Sequence, residues 1–241
     1  MKNTGILRIQ AFGARQSSPI EGVLVTVSGN GFTAQRITDE TGTAADISIE
    51  APSCALSLQE DNTIRPYAVV DLTAAKAGFR TVRIQGVQIF AGQVTLAQPE
   101  MIPETEEGLY VANPPVVIPE HSLFTGDGGS GPDPMENCMP RVLSRVIIPK
   151  NITVHLGKPA ASARNVTVSF RDYIANVASS EVYPTWPEQA LRANIHCQIS
   201  LALNRIYTEW YPSKGYTFNI TNSTSYDQYY VHGRTVFDVM V

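Results

Sequence analysis

Glu181 is the residue whose surroundings in the sequence best suit acid–base chemistry. It follows apolar residues spaced at three- and four-residue steps, namely Phe170, Tyr173, Ile174 and Val177. This spacing predicts a short helix whose apolar face ends in a carboxylate. The C-terminal pole of a helix is negative and an apolar surround disfavours charge, so both effects are expected to raise the pKa of Glu181. A carboxyl group that stays protonated can donate a proton, which makes Glu181 a candidate general acid.

Two prolines are expected to form a sharp corner after this helix. Pro184 ends the first helix, and Pro187, at a first helical position, starts the next. The second helix is predicted from about Glu188 to Trp210, mostly enclosed and forming the spine of its domain. Its apolar positions at helical spacing are Leu191, Ile195, Ile199, Ala202, Leu203, Ile206 and Trp210.

Several motifs in this region occur together in one family. They are Ser180-Glu181, Pro184, Trp186-Pro187-Glu188, Ala190-Leu191-Arg192-Ala193 and Gly215-Tyr216. Taken together, they resemble the sporulation stage II protein D family, whose members are lytic transglycosylases acting on the glycan of the bacterial cell wall, peptidoglycan. The resemblance covers roughly residues 147–241 and puts the family's catalytic carboxylate on Glu181.

The sequence departs from that family in two places. An arginine common in the middle of the family's long helix is Ile199 here, and the cysteine and histidine that bind zinc in some members are absent from residues 219–230. Cys54, Cys138 and Cys197 are odd in number and widely spaced, which argues against a zinc site or a disulfide framework. No metal and no cofactor is therefore expected.

The resemblance implies a mechanism that needs only one carboxylate, because a hydroxyl of the substrate itself attacks the anomeric carbon. Glu181 would protonate the glycosidic oxygen and then take the proton of that hydroxyl. Sugar rings stack on aromatic faces, so some aromatic side chains are expected to line a groove. Half or more of the aromatic candidates are expected to lie in the core instead. The candidate substrate-binding residues are Trp186, Tyr216, Tyr226, Asp227, Gln228 and Tyr230.

Residues 1–103 are predicted to form an all-β sandwich of six or seven short strands. The predicted strands cover residues 6–12, 22–27, 45–49, 68–72, 81–84 and 93–96. Three segments, Pro19–Val25, Thr38–Ala44 and Ala77–Phe79, resemble carboxypeptidase-regulatory-like and transthyretin-like sandwiches. The resemblance implies a spacer or adhesive module without catalysis.

Residues 104–140 are predicted to be an extended, acidic linker, because they carry seven acidic and no basic side chains and many prolines. The run 126–131 is expected to be flexible. Residues 141–241 would then form an α+β domain built on the long helix, with strands at 146–148, 152–157 and 165–170. The whole chain is thus predicted to be α+β.

Charge and hydropathy limit the partners. Residues 141–241 carry ten basic and six acidic side chains, a balance too mild for nucleic acid but suited to an anionic wall polymer. The longest apolar runs are far below the ~18 residues of a membrane span. The first ten residues lack the pattern of a secretory signal, so synthesis in the cytoplasm is expected, with release by lysis, non-classical export or assembly into a particle, and action at the cell wall.

The run Arg234–Val241 has no residues typical of a domain end. The expectation is a truncated or processed domain with low or absent activity. The exposed face of the long helix would then be covered by a partner, by a second copy of the chain or by the linker around Val116–Ile118. A second functional hypothesis follows from this: a non-catalytic tip, spike or surface module of an assembled particle, which recognises wall glycan or forms homo-oligomers.

Overall fold

The chain is a mixed α+β protein, as predicted. A computed structural model describes residues 3–13, 18–29, 31–59, 62–104, 113–125 and 147–241. It contains two compact units. The first unit comprises Met1–Glu120 and Gly233–Val239, and the second unit comprises His121–His232 and Met240–Val241. The predicted boundaries at 103 and 140 differ from these, and both linker segments 105–112 and 126–140 lie outside the described residues.

The first unit is built from β-strands. They are β1 (Thr4–Gln10), β2 (Phe12–Gly13), β3 (Leu24–Gly29), β4 (Phe32–Ile37), β5 (Thr43–Glu50), β6 (Ala68–Ala75), β7 (Val82–Ile89), β8 (Val94–Ala97), β9 (Glu100–Met101), β10 (Val116–Val117) and, from the far end of the chain, β14 (Val236–Phe237). One sheet has the order β14-β8-β1-β5, another has the order β10-β7-β6-β3-β4, and β2 pairs with β9.

Strand β1 shows why these residues form a sheet. Leu7 and Ile9 are buried on one face, while Arg8 between them points outward and forms an ion pair with Asp46 of β5 at 2.9 Å. This alternation is the period of a strand with one face in a core. The β1–β5 register opposes Leu7 to Ile47, so the apolar side chains of the two strands share a face.

Part of the predicted linker belongs to this unit. Val116 and Val117 form β10, which runs parallel to β7, and the Ile118 N–H donates to the carbonyl oxygen of Gln85 at 2.8 Å. Ile118 is buried in the core of the first unit. The segment therefore extends a sheet of the first unit.

The residues 233–239 also belong to the first unit, although the sequence assigned them to the second domain. Val236 lies opposite Leu96 in an antiparallel pair between β14 and β8. Phe237 is fully buried and its ring meets that of Phe90 edge-on at 5.2 Å. Val239 stays exposed. The run Arg234–Val241 thus contains a short strand that is added to a sheet of the first unit.

Gly42 is required by the turn before β5. It has φ +73°, and a Cβ added there would lie 2.5 Å from the carbonyl oxygen of Ala11 and 3.0 Å from the nitrogen of Ile20. Gly42→Ala is expected to lower the free energy of unfolding by about 2–3 kcal/mol, because the left-handed backbone costs an alanine roughly 1–2 and the crowding adds to it.

Gly92 supplies the matched control. Its φ is +74°, but an added Cβ would meet nothing within 4 Å. Gly92→Ala should therefore show only the backbone cost of roughly 1–2 kcal/mol. Denaturant unfolding of both variants, followed by circular dichroism of the strands, measures the difference. Equal losses in the two variants would contradict the role of crowding at Gly42.

The second unit combines a small sheet with helices. Its elements are β11 (Asn151–His155), β12 (Asn165–Ser169), β13 (Ile220–Thr221), α1 (Ser122–Thr125), α2 (Phe170–Glu181) and α3 (Glu188–Tyr207). The sheet order is β12-β11-β13. The predicted strand at 146–148 is wrong for residues 147 and 148, which have no strand structure, and Val146 lies outside the described residues. The predicted strands at 152–157 and 165–170 correspond to β11 and β12.

Helix α3 is less enclosed than predicted. It begins directly after Pro187, as expected, but ends at Tyr207, before Trp210. Of its 20 residues, the buried ones are Leu191, Gln198, Ala202 and Arg205. The predicted enclosure is wrong because polar residues such as Gln189 and Arg192 face solvent, while the isoleucines of the predicted stripe are only half-buried against the core. Within the described residues, no helix combines the length and apolar character needed to cross a bilayer.

Candidate active site

Helix α2 places Glu181 at its C-terminal end. The Ser169 hydroxyl accepts from the Asp172 N–H at 3.0 Å and caps the start of the helix. Val182 is extended, and its N–H donates back to the carbonyl oxygen of Ala178, which closes the last turn. The predicted helix is thus confirmed. Its buried face includes Tyr173 and Val177, and Glu181 follows as a partly exposed residue.

Both carboxyl oxygens of Glu181 accept hydrogen bonds. The backbone N–H of Tyr229 donates to Oε1 at 2.8 Å, and Gln198 Nε2 donates to Oε2 at 2.8 Å. Burial raises the pKa of Glu181 above its ordinary value, and the two hydrogen bonds oppose that rise without cancelling it. Glu181 is therefore a weaker acid than an ordinary glutamate, and its ionised form still accepts two hydrogen bonds.

Gln198 was not singled out in the sequence. It lies on α3 and is 4% exposed. Its Nε2 also donates to Asn194 Oδ1 at 2.8 Å, while its Oε1 is buried and has no hydrogen-bond partner. A polar residue at a buried position of an otherwise apolar helix face is the signal that could have identified it.

Asn176 fixes the chain segment that faces Glu181. Its side-chain amide donates to the Val231 carbonyl oxygen at 2.9 Å and accepts from the Val231 N–H at 3.0 Å. This pair of bonds imitates the pairing of a strand neighbour. Because Asn176 and Glu181 are both on α2, the helix holds the segment around Tyr229 at two points.

The side chain of Gln228 connects α2 and α3 next to Glu181. Tyr173 donates its hydroxyl to Gln228 Oε1 at 2.9 Å, and Gln228 Nε2 donates to the carbonyl oxygen of Gln198 at 3.1 Å. The side chain is 5% exposed and its amide is already bonded on both sides. These contacts do not fit the predicted role of holding a sugar directly, and they give Gln228 a supporting position beside Glu181.

Asp227, like Gln228, is engaged in hydrogen bonds within the second unit. Its Oδ1 accepts from Arg205 Nε at 2.7 Å, and its Oδ2 accepts from the Tyr211 hydroxyl at 2.5 Å and from both the N–H and the hydroxyl of Thr221 at 2.9 and 2.6 Å. The Asp227 side chain is 0% exposed. Since its oxygens are occupied and out of reach of solvent, the predicted contact with substrate does not fit this geometry.

The aromatic candidates divide into buried and accessible ones. Tyr230 is buried, its ring stacks on Tyr173 at 5.5 Å, and burial raises its pKa to about 12. Tyr216 is half-buried in an aromatic cluster that includes Phe218. Trp186 is half-buried, and Tyr226 is 40% exposed. Accessible aromatic surface near the corner after α2 is therefore available from Trp186.

Ile199 occupies the position at which the resembling family commonly has arginine. Its side chain is half-buried and packs against the core of the second unit. The neighbouring Gln198, a neutral amide, contacts Glu181. Across the part of the chain that the structure describes, no cluster of three or more histidine, cysteine or acidic side chains could hold a metal. Cys54 and Cys197 are exposed free thiols, and Cys138 lies outside the described residues.

The raised pKa of Glu181 predicts how stability depends on pH. Between the ordinary value of 4.5 and the raised value, the folded protein binds more protons than the unfolded chain, so stability falls as pH rises through that interval. Glu181→Gln should lack this part of the decline. The measurement is the difference in thermal midpoint between parent and variant from about pH 4 to about pH 8.

Glu188→Gln is the control for that comparison, because Glu188 is exposed and pairs with Arg192 at the surface. A difference between parent and Glu181→Gln that stays constant with pH would contradict the raised pKa.

No protein-family model matches the chain, and no curated protein matches it either. Among solved structures, the Bacillus anthracis TIE protein is similar at 13% identity and a TM-score of 0.31, over 42% of this chain and 17% of that one. A 3-chlorocatechol 1,2-dioxygenase from Rhodococcus opacus 1CP is similar at 14% identity and a TM-score of 0.30, over 43% of this chain and 61% of that one. Wild-type catechol 1,2-dioxygenase from Acinetobacter radioresistens is similar at 13% identity and a TM-score of 0.30, over 48% of this chain and 58% of that one.

The matched regions thus span less than two thirds of those proteins. Likeness this distant carries no argument about the activity of the chain, so the function is inferred from the site.

Proposed function

We propose that the chain is directed at the bacterial cell wall and that its second unit is a lytic transglycosylase, similar to the sporulation stage II protein D family, that cleaves the glycan strands of peptidoglycan. The observation that carries the proposal is the environment of Glu181. The residue is partly exposed, burial raises the pKa of its carboxyl group, and the ionised carboxylate keeps two hydrogen-bond donors.

Most glycosidases use two carboxylates, one as acid and one as base or nucleophile. A single carboxyl suffices when the substrate provides the nucleophile. Protonated Glu181 gives its proton to the glycosidic oxygen as the bond from that oxygen to the anomeric carbon breaks. A hydroxyl of the same sugar then attacks the anomeric carbon, and the Glu181 carboxylate takes the hydroxyl proton, so no water is consumed and the acid is restored.

The donors to Glu181 support the ionised stage of this cycle. After proton transfer, the carboxylate keeps the hydrogen bonds from Tyr229 N–H and Gln198 Nε2, and hydrogen bonds to an ion are stronger than those to a neutral acid. Trp186 and Tyr226 are the proposed sugar-stacking residues, because both keep accessible ring surface. Asp227, Gln228 and Tyr230 are proposed to stabilise the second unit through their internal contacts and not to bind the sugar.

For the first unit we infer a β-sandwich of the carboxypeptidase-regulatory-like kind that acts as a spacer. Support comes from a buried cluster that contains Leu7 and Ile47 from one sheet and Val25 and Leu72 from the other. Shared burial between two sheets is the basis of a sandwich. For the second unit, α3 is proposed as the central element because the half-buried Ile195 and Ile199 pack on the same core as α2.

The test is digestion of purified glycan strands by the whole chain, with the new ends analysed by mass spectrometry. The expected products carry anhydro-muramyl ends, because the attacking hydroxyl belongs to the substrate. Products with ordinary reducing ends would contradict the proposal, since those require attack by water.

A non-catalytic wall-binding module is the second candidate function. It is favoured by the state of the predicted groove: Asp227, Gln228 and Tyr230 are buried, and both oxygens of Glu181 are engaged. In this case the chain would be a structural or adhesive part of an assembled particle, or a homo-oligomer. Retention of the chain on purified wall glycan without release of fragments would support this function over catalysis.

A further inference from the structure

Gln198 gives Glu181 a neutral partner. Its Nε2 lies 2.8 Å from Glu181 Oε2, on a side chain that is 4% exposed. A cation at this point would hold the carboxyl ionised, and an apolar residue would leave the ionised form without a donor on that side. A neutral amide does neither, since it donates one hydrogen bond and adds no net charge.

The same amide is poorly satisfied by the fold. Both N–H groups of Gln198 are used, one on Glu181 and one on Asn194 Oδ1, but Oε1 is buried without any donor. A buried acceptor without a donor destabilises the folded state. An apolar side chain of similar shape would fill the position without this cost. The presence of the amide is therefore better explained by its effect on Glu181 than by a contribution to stability.

Tyr173 of α2, which is buried and interacts electrostatically with both Glu181 and Asp227, links Glu181 to the charged groups of the unit. Arg205 of α3 and Asp227 of the following segment face each other in an ion pair. Burial, the Tyr229 N–H and the Gln198 amide are the causes that act on Glu181 itself. Of these causes, the Gln198 amide is the one that a side-chain substitution can remove in order to change the pKa of Glu181.

The two donors are also linked to each other. Gln228 Nε2 donates to the carbonyl oxygen of Gln198, and Gln228 directly precedes Tyr229, whose N–H binds Glu181. The hydroxyl of Tyr173 holds the other end of the Gln228 amide. A displacement of the Gln198 backbone would therefore affect the donors to both oxygens of Glu181.

We propose that Gln198 is a positioning residue that orients the carboxyl of Glu181 and supplies the neutral hydrogen bond that lets this group pass between its protonated and ionised forms. This inference rests on the proposed acid–base role of Glu181. Neither the sequence pattern nor the resemblance assigns a role to this position.

The experiment is a carbon-13 NMR titration of the Glu181 carboxyl in the whole chain, labelled at glutamate, with the signal assigned by its loss in Glu181→Gln. Gln198→Met keeps the length of the side chain but removes the donor. Loss of a hydrogen bond to an ionised group is expected to move the titration midpoint upward by about one pH unit. Gln189→Met, an exposed position on the first turn of α3, should leave the midpoint unchanged.

Two further measurements separate positioning from a structural role. Gln198→Met removes the unsatisfied Oε1 together with the hydrogen bonds that Nε2 donates to Glu181 and Asn194, so its thermal midpoint should change little. Asn194→Ala, at a half-exposed position, frees the Gln198 amide and should raise the Glu181 midpoint by less than Gln198→Met does. This second variant decides the matter if Gln198→Met does not fold. An unchanged midpoint in the folded variants overturns the proposal.

The titration does not depend on activity, so the two proposals can fail separately. A parent chain that releases no anhydro-muramyl ends would refute the function, while the NMR midpoints would still report on Gln198. If the parent is active, the alkaline limit of its rate should move upward in Gln198→Met together with the midpoint.

Discussion

Glu181→Gln is expected to lower the rate of glycan-strand cleavage by about 10²–10⁴-fold, the usual contribution of a positioned general acid or base. Glutamine is nearly isosteric and its oxygen can keep one of the two hydrogen bonds that Glu181 accepts, so residue 181 should stay in place. It cannot give or take the proton, and the proposed cycle needs both steps from this one group. The measurement is the initial rate of release of anhydro-muramyl ends.

Glu188→Gln is the matched control, since it removes a carboxylate seven positions later on the neighbouring helix. The Glu188 side chain is 66% exposed and its contact is an ion pair with Arg192 along the surface of α3. Its rate should equal that of the parent. Equal rates in Glu181→Gln and the parent, both folded, would mean that Glu181 is not the acid.

Asp227→Ala is expected to lower the free energy of unfolding of the second unit by about 3–5 kcal/mol, the range for removing one partner of a buried ion pair. The substitution leaves the Arg205 guanidinium, whose side chain is 9% exposed, without its carboxylate. It also removes the acceptor of the Tyr211 hydroxyl and of two groups of Thr221. These groups come from α3, the turn after it and β13, so one substitution loosens three parts of the unit.

Tryptophan fluorescence in a denaturant titration can follow this unit alone, because both tryptophans of the chain, Trp186 and Trp210, lie in it. Glu188→Ala serves as the control, since an exposed i,i+4 pair contributes only about 0.3–0.5 kcal/mol. A loss below ~1 kcal/mol in Asp227→Ala would show that the Asp227 cluster is not what holds the unit together.

Local patterns predicted the elements that local physics determines. The helix from Phe170 to Glu181 follows from apolar spacing, and the weak acidity of Glu181 follows from its place at the end of that face. The corner at Pro184 and Pro187 follows from proline geometry. Each of these needs only residues within a turn or two of one another.

The partners of Glu181 could not be predicted in this way. Gln198 and Tyr229 are 17 and 48 residues away in sequence, and which atoms of theirs approach the carboxyl depends on how α2, α3 and the later segment pack. The internal contacts of Asp227 and Gln228 could not be predicted for a related reason. A polar side chain in a sequence gives no sign of whether it will meet a ligand or a set of internal donors.

The short strands β10 and β14 were missed because two residues carry almost no periodic signal. The sequence predicts a linker at Val116–Val117 and part of the second domain at Val236–Phe237. Both form only through pairing with strands distant in sequence. The assignment of residues to units therefore needed the tertiary structure.

The pairing of β14 with β8 sets an order of events during protein synthesis. Strand β8 leaves the ribosome about 140 residues before its neighbour β14, which at 5–20 residues per second corresponds to a delay on the order of ten seconds. During that time the outer edge of β8 has unpaired N–H and C=O groups and can pair with other chains. Nascent chains should therefore be most prone to aggregate after residue 97 emerges and before residue 237 does.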